Sequence, residues 1–188
     1  MNLRKLHRKI APIVFIPLFL SAVTGLIYRL GKNWFDMSSE MGDVMMSIHE
    51  GRFLGEPLVP VYVLLVGMGL VAAIVSGLAM VQRSLKRLLS QPTQFTWRSI
   101  HGWLSPIVFL PLALTAATGI AYRLGKNWFG LSNKEAAIFM RLHQGTFLGS
   151  SLKSLYVLFV GAGLIAMLVT GIQMTGILRK RREIGSGE

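Results

Sequence analysis

The sequence predicts an all-α protein: an integral membrane four-helix bundle made of two tandem two-helix repeats related by a pseudo-twofold axis along the membrane normal. Three observations predict it. Four stretches, 10–28, 58–81, 104–122 and 154–178, contain no Asp, Glu, Lys or Arg, and they run 19, 24, 19 and 25 residues. About 20 apolar residues at a helical rise of 1.5 Å cross a bilayer core of roughly 30 Å, so each stretch is long enough. A shift of 94 residues lays 6–88 onto 100–182 without a gap, with about half of the positions identical. Finally, the cations that give the chain its net charge of +12 gather at the ends of the apolar stretches.

The composition removes several function classes. The chain of 188 residues has no cysteine. Disulfide scaffolds, thiolate zinc centres, four-cysteine iron–sulfur clusters and haem attached through C-x-x-C-H are therefore excluded. A basic soluble protein would suggest nucleic acid, but here the charge flanks apolar spans. It points to membrane lipids, not to nucleic acid.

The first span, 10–28, follows a basic start and has the outline of a signal peptide. No small-x-small cleavage site follows it, and its match at 104–122 lies in mid-chain. Both are read as membrane helices. Pro12 and Pro17 in the first, and Pro106 and Pro111 in the third, are tolerated in lipid, usually with a bend. After each span comes YRLGKNWF, at 28–35 and again at 122–129, and then a short amphipathic helix. In the second copy Ser132 and Glu135 fit a capping box and Gly145 a C-terminal stop. In the first copy Ser38 can cap, with Met41 in place of the glutamate. The second and fourth spans carry Gly67, Gly69 and Gly77, and Gly161, Gly163 and Gly171, which allow close helix contact. Unit boundaries are read as 1–83 for the first repeat, 84–97 for a linker broken by Pro92, 98–182 for the second repeat and 183–188 for a tail.

With four crossings, the two ends of the chain and the middle loop share one side. That side holds twelve cations and two acids, against eight cations and six acids on the other. The positive-inside bias places both termini in the cytoplasm.

Only four histidines are present, as two repeat-equivalent pairs: His7 with His101, and His49 with His143. The first pair begins the first and third spans. The second follows the outer turns, and His7 to Tyr28 is roughly 32 Å at helical rise. The pseudo-twofold axis would bring each pair together. Two neutral imidazoles facing across a bundle suit iron in a porphyrin, because bis-histidine ligation fills both axial positions and favours electron transfer. Gly25 and Gly119 lie on the face of their helix that continues from the first histidine, where a flat macrocycle could approach the backbone. Arg29, Lys32, Arg123 and Lys126 lie near the outer face, where propionates need cationic partners. The bland readings stand beside these. An interfacial histidine is commonly a satisfied polar group, Arg and Lys near an interface commonly anchor lipid headgroups, and Met41, Met45 and Met46 read as membrane packing. Two histidines per site with no shared Asp, Glu or Cys make a poor zinc or copper site. A small transporter lacks an intramembrane charge to support it.

The segment RKLHRKIAPIVFIPLFLSAVTG at 4–25 resembles the first membrane helix of the PepSY-associated transmembrane family. Arg4, His7, Thr24 and Gly25 match its Arg-x-x-His and Thr-Gly elements, as do Arg98, His101, Thr118 and Gly119. The Leu-His-x-Gly-x-x-x-Gly element is matched by His49, Gly51 and Gly55 and by His143, Gly145 and Gly149. Gly77 and Gly171 match the glycine of a later Thr/Ser-Gly pair. The resemblance implies a four-helix protein of the bacterial inner membrane. It also implies haem ligation by His7, His101, His49 and His143, with two haem b groups per chain. Family members often carry a large extracytoplasmic domain, whereas here about 29 residues separate the first two spans.

The expected function is a di-haem b-type membrane cytochrome, an electron-transfer oxidoreductase. It would take electrons from a quinol or a reductase and pass them to an extracytoplasmic electron acceptor, a ferric chelate being one candidate. No flavin or nicotinamide motif is present, so the donor is external. The alternative is a non-enzymatic membrane scaffold or accessory subunit with structural histidines. Both readings leave room for a homo-oligomer or for a place in a larger membrane complex.

Overall fold

A computed structural model describes residues 3–90 and 95–175, with the side chains of 82–85 and 87–89 left out. Its element order is α1 (Leu3–Trp34), α2 (Ser39–Glu50), α3 (Val59–Ser90), α4 (Trp97–Asn127), α5 (Asn133–His143) and α6 (Leu152–Thr175), with short 3-10 turns before α3 and α6. No strand occurs among the described residues. α1, α3, α4 and α6 are each long and apolar enough to cross a membrane. The chain is a multi-pass membrane protein with an all-α four-helix bundle.

The repeat is visible in the packing. α1 lies against α3 and α6, and α4 lies against α3 and α6, so α1 and α4 sit on one diagonal. Each of these four contacts is made over a glycine. Within the repeats, Val14 packs on Gly69 and Val108 on Gly163. Between the repeats, Ile120 packs on Gly67 and Leu26 on Gly161. Every member of these pairs has its counterpart 94 residues away. Close approach over small residues is what associates helices in lipid, where helix faces gain nothing from leaving water. The centre is filled by Leu18, Leu70 and Ala116, and by Val108, Leu112 and Val160. The outside is apolar too: Ile13, Ile16, Leu65, Ile107 and Leu110 are all more than half exposed. That inversion of the soluble pattern fits a hydrocarbon solvent. Trp34 and Trp128, half exposed where α1 and α4 end, suit the interfacial belt.

α1 and α4 run unbroken through their prolines. α2 and α5 begin where the side chains predict. Ser38 accepts the amide of Met41, and Ser132 and Glu135 form the full capping box. Gly51 and Gly145 take the left-handed conformation, φ 77° and 67°, that ends these helices. Gly55 and Gly149, also at positive φ, then turn the chain into α3 and α6. The Leu-His-x-Gly-x-x-x-Gly element is thus a helix end followed by a turn, with the histidine held in the last turn. One boundary differs from expectation. α3 stays helical to Ser90, so the segment read as a linker from 84 is helical over its first half. Pro92, the basic run 179–182 and the tail 183–188 lie outside the described residues, as do the side chains of Arg83 and Arg87.

Candidate functional site

The bundle brings the four histidines together as two pairs. The ring centres of His7 and His101 are 6.5 Å apart, with the planes at 70°. Those of His49 and His143 are 6.3 Å apart, at 69°. His7 and His101 come from the diagonal helices α1 and α4 and meet on the bundle axis. His49 and His143 come from α2 and α5, which fold back so that their last turns enter the bundle.

Each ring is oriented through Nδ1. His7 Nδ1 lies 3.0 Å from the Ala73 carbonyl and 3.0 Å from Ser76 Oγ, both on α3. A carbonyl only accepts, so Nδ1 carries the proton. The Ser76 hydroxyl sends its own hydrogen to the Ala72 carbonyl at 2.6 Å and is likewise left to accept. His101 Nδ1 donates to Thr170 Oγ1 on α6 at 2.8 Å, and that hydroxyl donates to the Ala166 carbonyl. His49 Nδ1 donates to the Ser21 carbonyl at 2.8 Å, and His143 Nδ1 to the Thr115 carbonyl at 2.9 Å. A neutral ring with its proton on Nδ1 has its lone pair on Nε2. Among the described residues, no hydrogen bond engages Nε2 of any of the four.

Glycine lies against each ring and makes room for the outer two. A Cβ at Gly25 would stand 2.9 Å from His49 Cε1, and one at Gly119 would stand 3.0 Å from His143 Cε1. At Gly77 and Gly171 the same distances to His7 and His101 are 3.4 and 3.5 Å. So the Thr-Gly and Ser/Thr-Gly pairs are imidazole seats. The threonine hydroxyls of Thr24 and Thr118 donate to the Leu20 and Leu114 carbonyls, which keeps them satisfied inside the helix.

A cavity surrounds the outer pair, with about 1300 Å³ of atom-free space that opens partly to the outside of the bundle. It is lined by both histidines, by Gly25 and Gly119, and by Arg29 and Arg123. Burial pushes the pKa of His49 down. Burial, followed by the neighbouring His49 ring, pushes that of His143 down to about 4. Both rings are therefore neutral at pH 7, the form that can ligate a metal.

The cations divide. Arg29 Nη2 donates to Gln144 Oε1 at 2.6 Å, and Arg123 forms an ion pair with Glu50. Each contact joins one repeat to the other. Lys32 Nζ instead donates to the carbonyls of Met37 and Ser38, and Lys126 Nζ to Asn133 Oδ1. These lysines brace the turns before α2 and α5 and do not line the cavity. The depth of the outer pair also differs from the expected one. His49 rests on Ser21 and Gly25, not at the level of Tyr28. From His7 to Ser21 is roughly 21 Å at helical rise.

The donor set has a definite chemistry. Two imidazoles that share one metal through Nε2 at about 2.0–2.1 Å each have ring centres roughly 6 Å apart. Both pairs stand at that separation. Among the described residues, no three His, Cys, Asp or Glu side chains are grouped so that they could hold a metal ion by themselves. Two imidazoles at this separation, each with Nε2 outside any hydrogen bond, suit a metal whose remaining positions are filled by a macrocycle, as in bis-histidine haem.

Ser76, Thr170, Ser21 and Thr115, which hold the rings, and Glu50 and Gln144, which hold the arginines, are the site residues that sequence reasoning did not single out. Their signal was present as hydroxyl and polar residues recurring at the 94-residue offset. No curated protein and no solved structure matches the chain. The family model for the PepSY-associated TM region matches residues 30–137, more than half of the sequence, and the chain belongs to that family.

Proposed function

We propose that the chain is a di-haem b-type membrane cytochrome, with one haem b held by His7 and His101 and the other by His49 and His143. The reading rests on one observation: four imidazoles in two facing pairs, ring centres 6.5 and 6.3 Å apart, each with Nδ1 committed and Nε2 open. When bound, haem held by these histidines would supply a one-electron iron couple. The chain's own residues prepare the sites. Ser76, Thr170, and the carbonyls of Ser21 and Thr115 fix tautomer and ring angle, as partners behind a metal-binding histidine do. Leu18, Leu112 and their neighbours give the space around the outer pair an apolar wall. Arg29 supplies positive charge in its wall, where Arg123 is paired with Glu50.

Two sites stacked along the bundle suit electron passage across the bilayer, from a quinol or reductase to an extracytoplasmic acceptor such as a ferric chelate. The basic bias of the chain ends and middle loop supports cytoplasmic termini. Family membership supports a bacterial inner membrane. Purification from haem-sufficient cells, with a count of extracted haem, tests the reading. About two non-covalent haems per chain are expected. His7→Ala with His101→Ala removes one, and His49→Ala with His143→Ala removes the other. A haem-free, colourless protein would contradict the reading and favour a scaffold whose histidines only cross-brace its helices.

A further inference from the structure

The outer cavity is twofold in shape but not in charge. Arg29 and Arg123 are repeat-equivalent, and so are their partners Gln144 and Glu50. The partners differ by one group. Arg123 meets a carboxylate, and Arg29 meets a neutral amide through Gln144 Oε1. Arg52, the counterpart of Thr146, also stands 3.4 Å from Glu50, but from the turn beyond α2 and not from the cavity wall. Within the wall, the charge of Arg123 is met by a carboxylate, whereas that of Arg29 is met only by an amide oxygen. Charge-assisted bonds from a guanidinium to a carboxylate are about twice as strong as neutral ones and are often bidentate. A guanidinium already paired with a carboxylate attracts a second one less, because the charges of the pair offset each other.

We propose that Arg29 is the carboxylate anchor of the outer cavity, so that a macrocycle with carboxylates on one edge enters in one of its two twofold-related orientations. Glu50 keeps Arg123 out of competition. Gln144 holds Arg29 in place without cancelling its charge. The proposal rests on the haem reading above and adds which half of the cavity receives the carboxylates.

The test uses the full chain, purified without haem and titrated with haem or with its dimethyl ester, in which both carboxylates are masked. The readout is the ratio of the two affinities, taken from Soret absorption. The inner pair is common to all variants and cancels in comparisons. Arg29→Gln should lower the affinity for haem by about tenfold and leave that for the ester unchanged. Gln144→Glu, nearly isosteric, should do the same by neutralising Arg29, and it guards against misfolding in the first variant. Glu50→Gln should free Arg123 and leave haem affinity equal or higher. Three results would overturn the anchor: no effect of Arg29→Gln, equal losses for haem and ester, or a loss with Glu50→Gln that matches the loss with Gln144→Glu. Failure of the unaltered protein to bind haem at all would instead remove the parent reading.

Discussion

His7 and Ser76, 69 residues apart in the chain, are joined by a hydrogen bond of 3.0 Å in which the imidazole donates and the hydroxyl accepts. The direction is forced, because the serine hydrogen is spent on the Ala72 carbonyl. The same arrangement recurs between His101 and Thr170. The inner pair is thus aimed by α3 and α6, helices that carry no ligand themselves. Ser76→Ala combined with Thr170→Val should lower inner-site haem affinity about 10-fold or more, the usual cost of losing a partner behind a metal-binding histidine. Haem titration of the double variant, alongside the unaltered chain, checks this. The outer site should be unaffected.

The glycine seats differ in tightness, and so should their substitutions. A methyl at Gly25 meets an imidazole carbon at 2.9 Å, closer than packed atoms approach, and one at Gly119 meets one at 3.0 Å, at the tight end of packed contacts. At Gly77 and Gly171 it meets one at 3.4 or 3.5 Å, which is ordinary contact. Gly25→Ala and Gly119→Ala should therefore displace the outer rings and remove one haem per chain. Gly77→Ala and Gly171→Ala should leave both. Haem counts on the four variants decide it.

The haem-free protein should lose stability on acidification. The pKa of His143 falls from 6.5 in the unfolded chain to about 4 in the fold, because of burial and then the adjacent His49. A depressed histidine pKa means that the unfolded chain takes up the proton first. Stability is full above about pH 6.5 and declines as pH falls from there toward 4. His49, shifted in the same direction, adds to the decline. Melting temperatures across that range should show the slope, and His143→Gln should flatten it.

The lipid-facing surface predicts a different sensitivity. Ile16 is 65% exposed and Leu110 66% exposed, each well inside an apolar span. In a water-soluble bundle, Asp at either position would be nearly neutral. In a membrane a charge near the helix centre costs about 2.5–3.5 kcal/mol on insertion scales. Ile16→Asp and Leu110→Asp should each cut the amount of chain recovered from membranes, with Ile16→Ser much milder. Quantitative blotting of membrane fractions checks this.

Much of this architecture was legible in the sequence, because its causes are local or repeated. Charge-free spans set the four long helices. Ser38, Ser132 and Glu135 marked the starts of α2 and α5, and Gly51 and Gly145 marked their ends. The 94-residue offset pairs the histidines in the sequence itself. What stayed hidden depended on contacts between distant segments. Helical rise along α1 cannot reveal that α2 folds back and sets His49 on Ser21 and Gly25. Composition near the outer face made Lys32 and Lys126 look equivalent to Arg29 and Arg123. Turn carbonyls draw Lys32 away and the Asn133 side chain draws Lys126, and of these four cations only the arginines reach the other repeat. The Glu50–Arg123 and Gln144–Arg29 contacts, 73 and 115 residues apart, had no sequence signal beyond their shared offset.

The most direct measurement of the central claim is the reduced-minus-oxidised absorption spectrum of the purified chain, taken with the axial ligation state of the oxidised form. Facing imidazoles with open Nε2 atoms predict six-coordinate, low-spin haem at both sites, and one spectral component lost with each histidine pair. No difference spectrum, or a five-coordinate haem that survives loss of all four histidines, would contradict it.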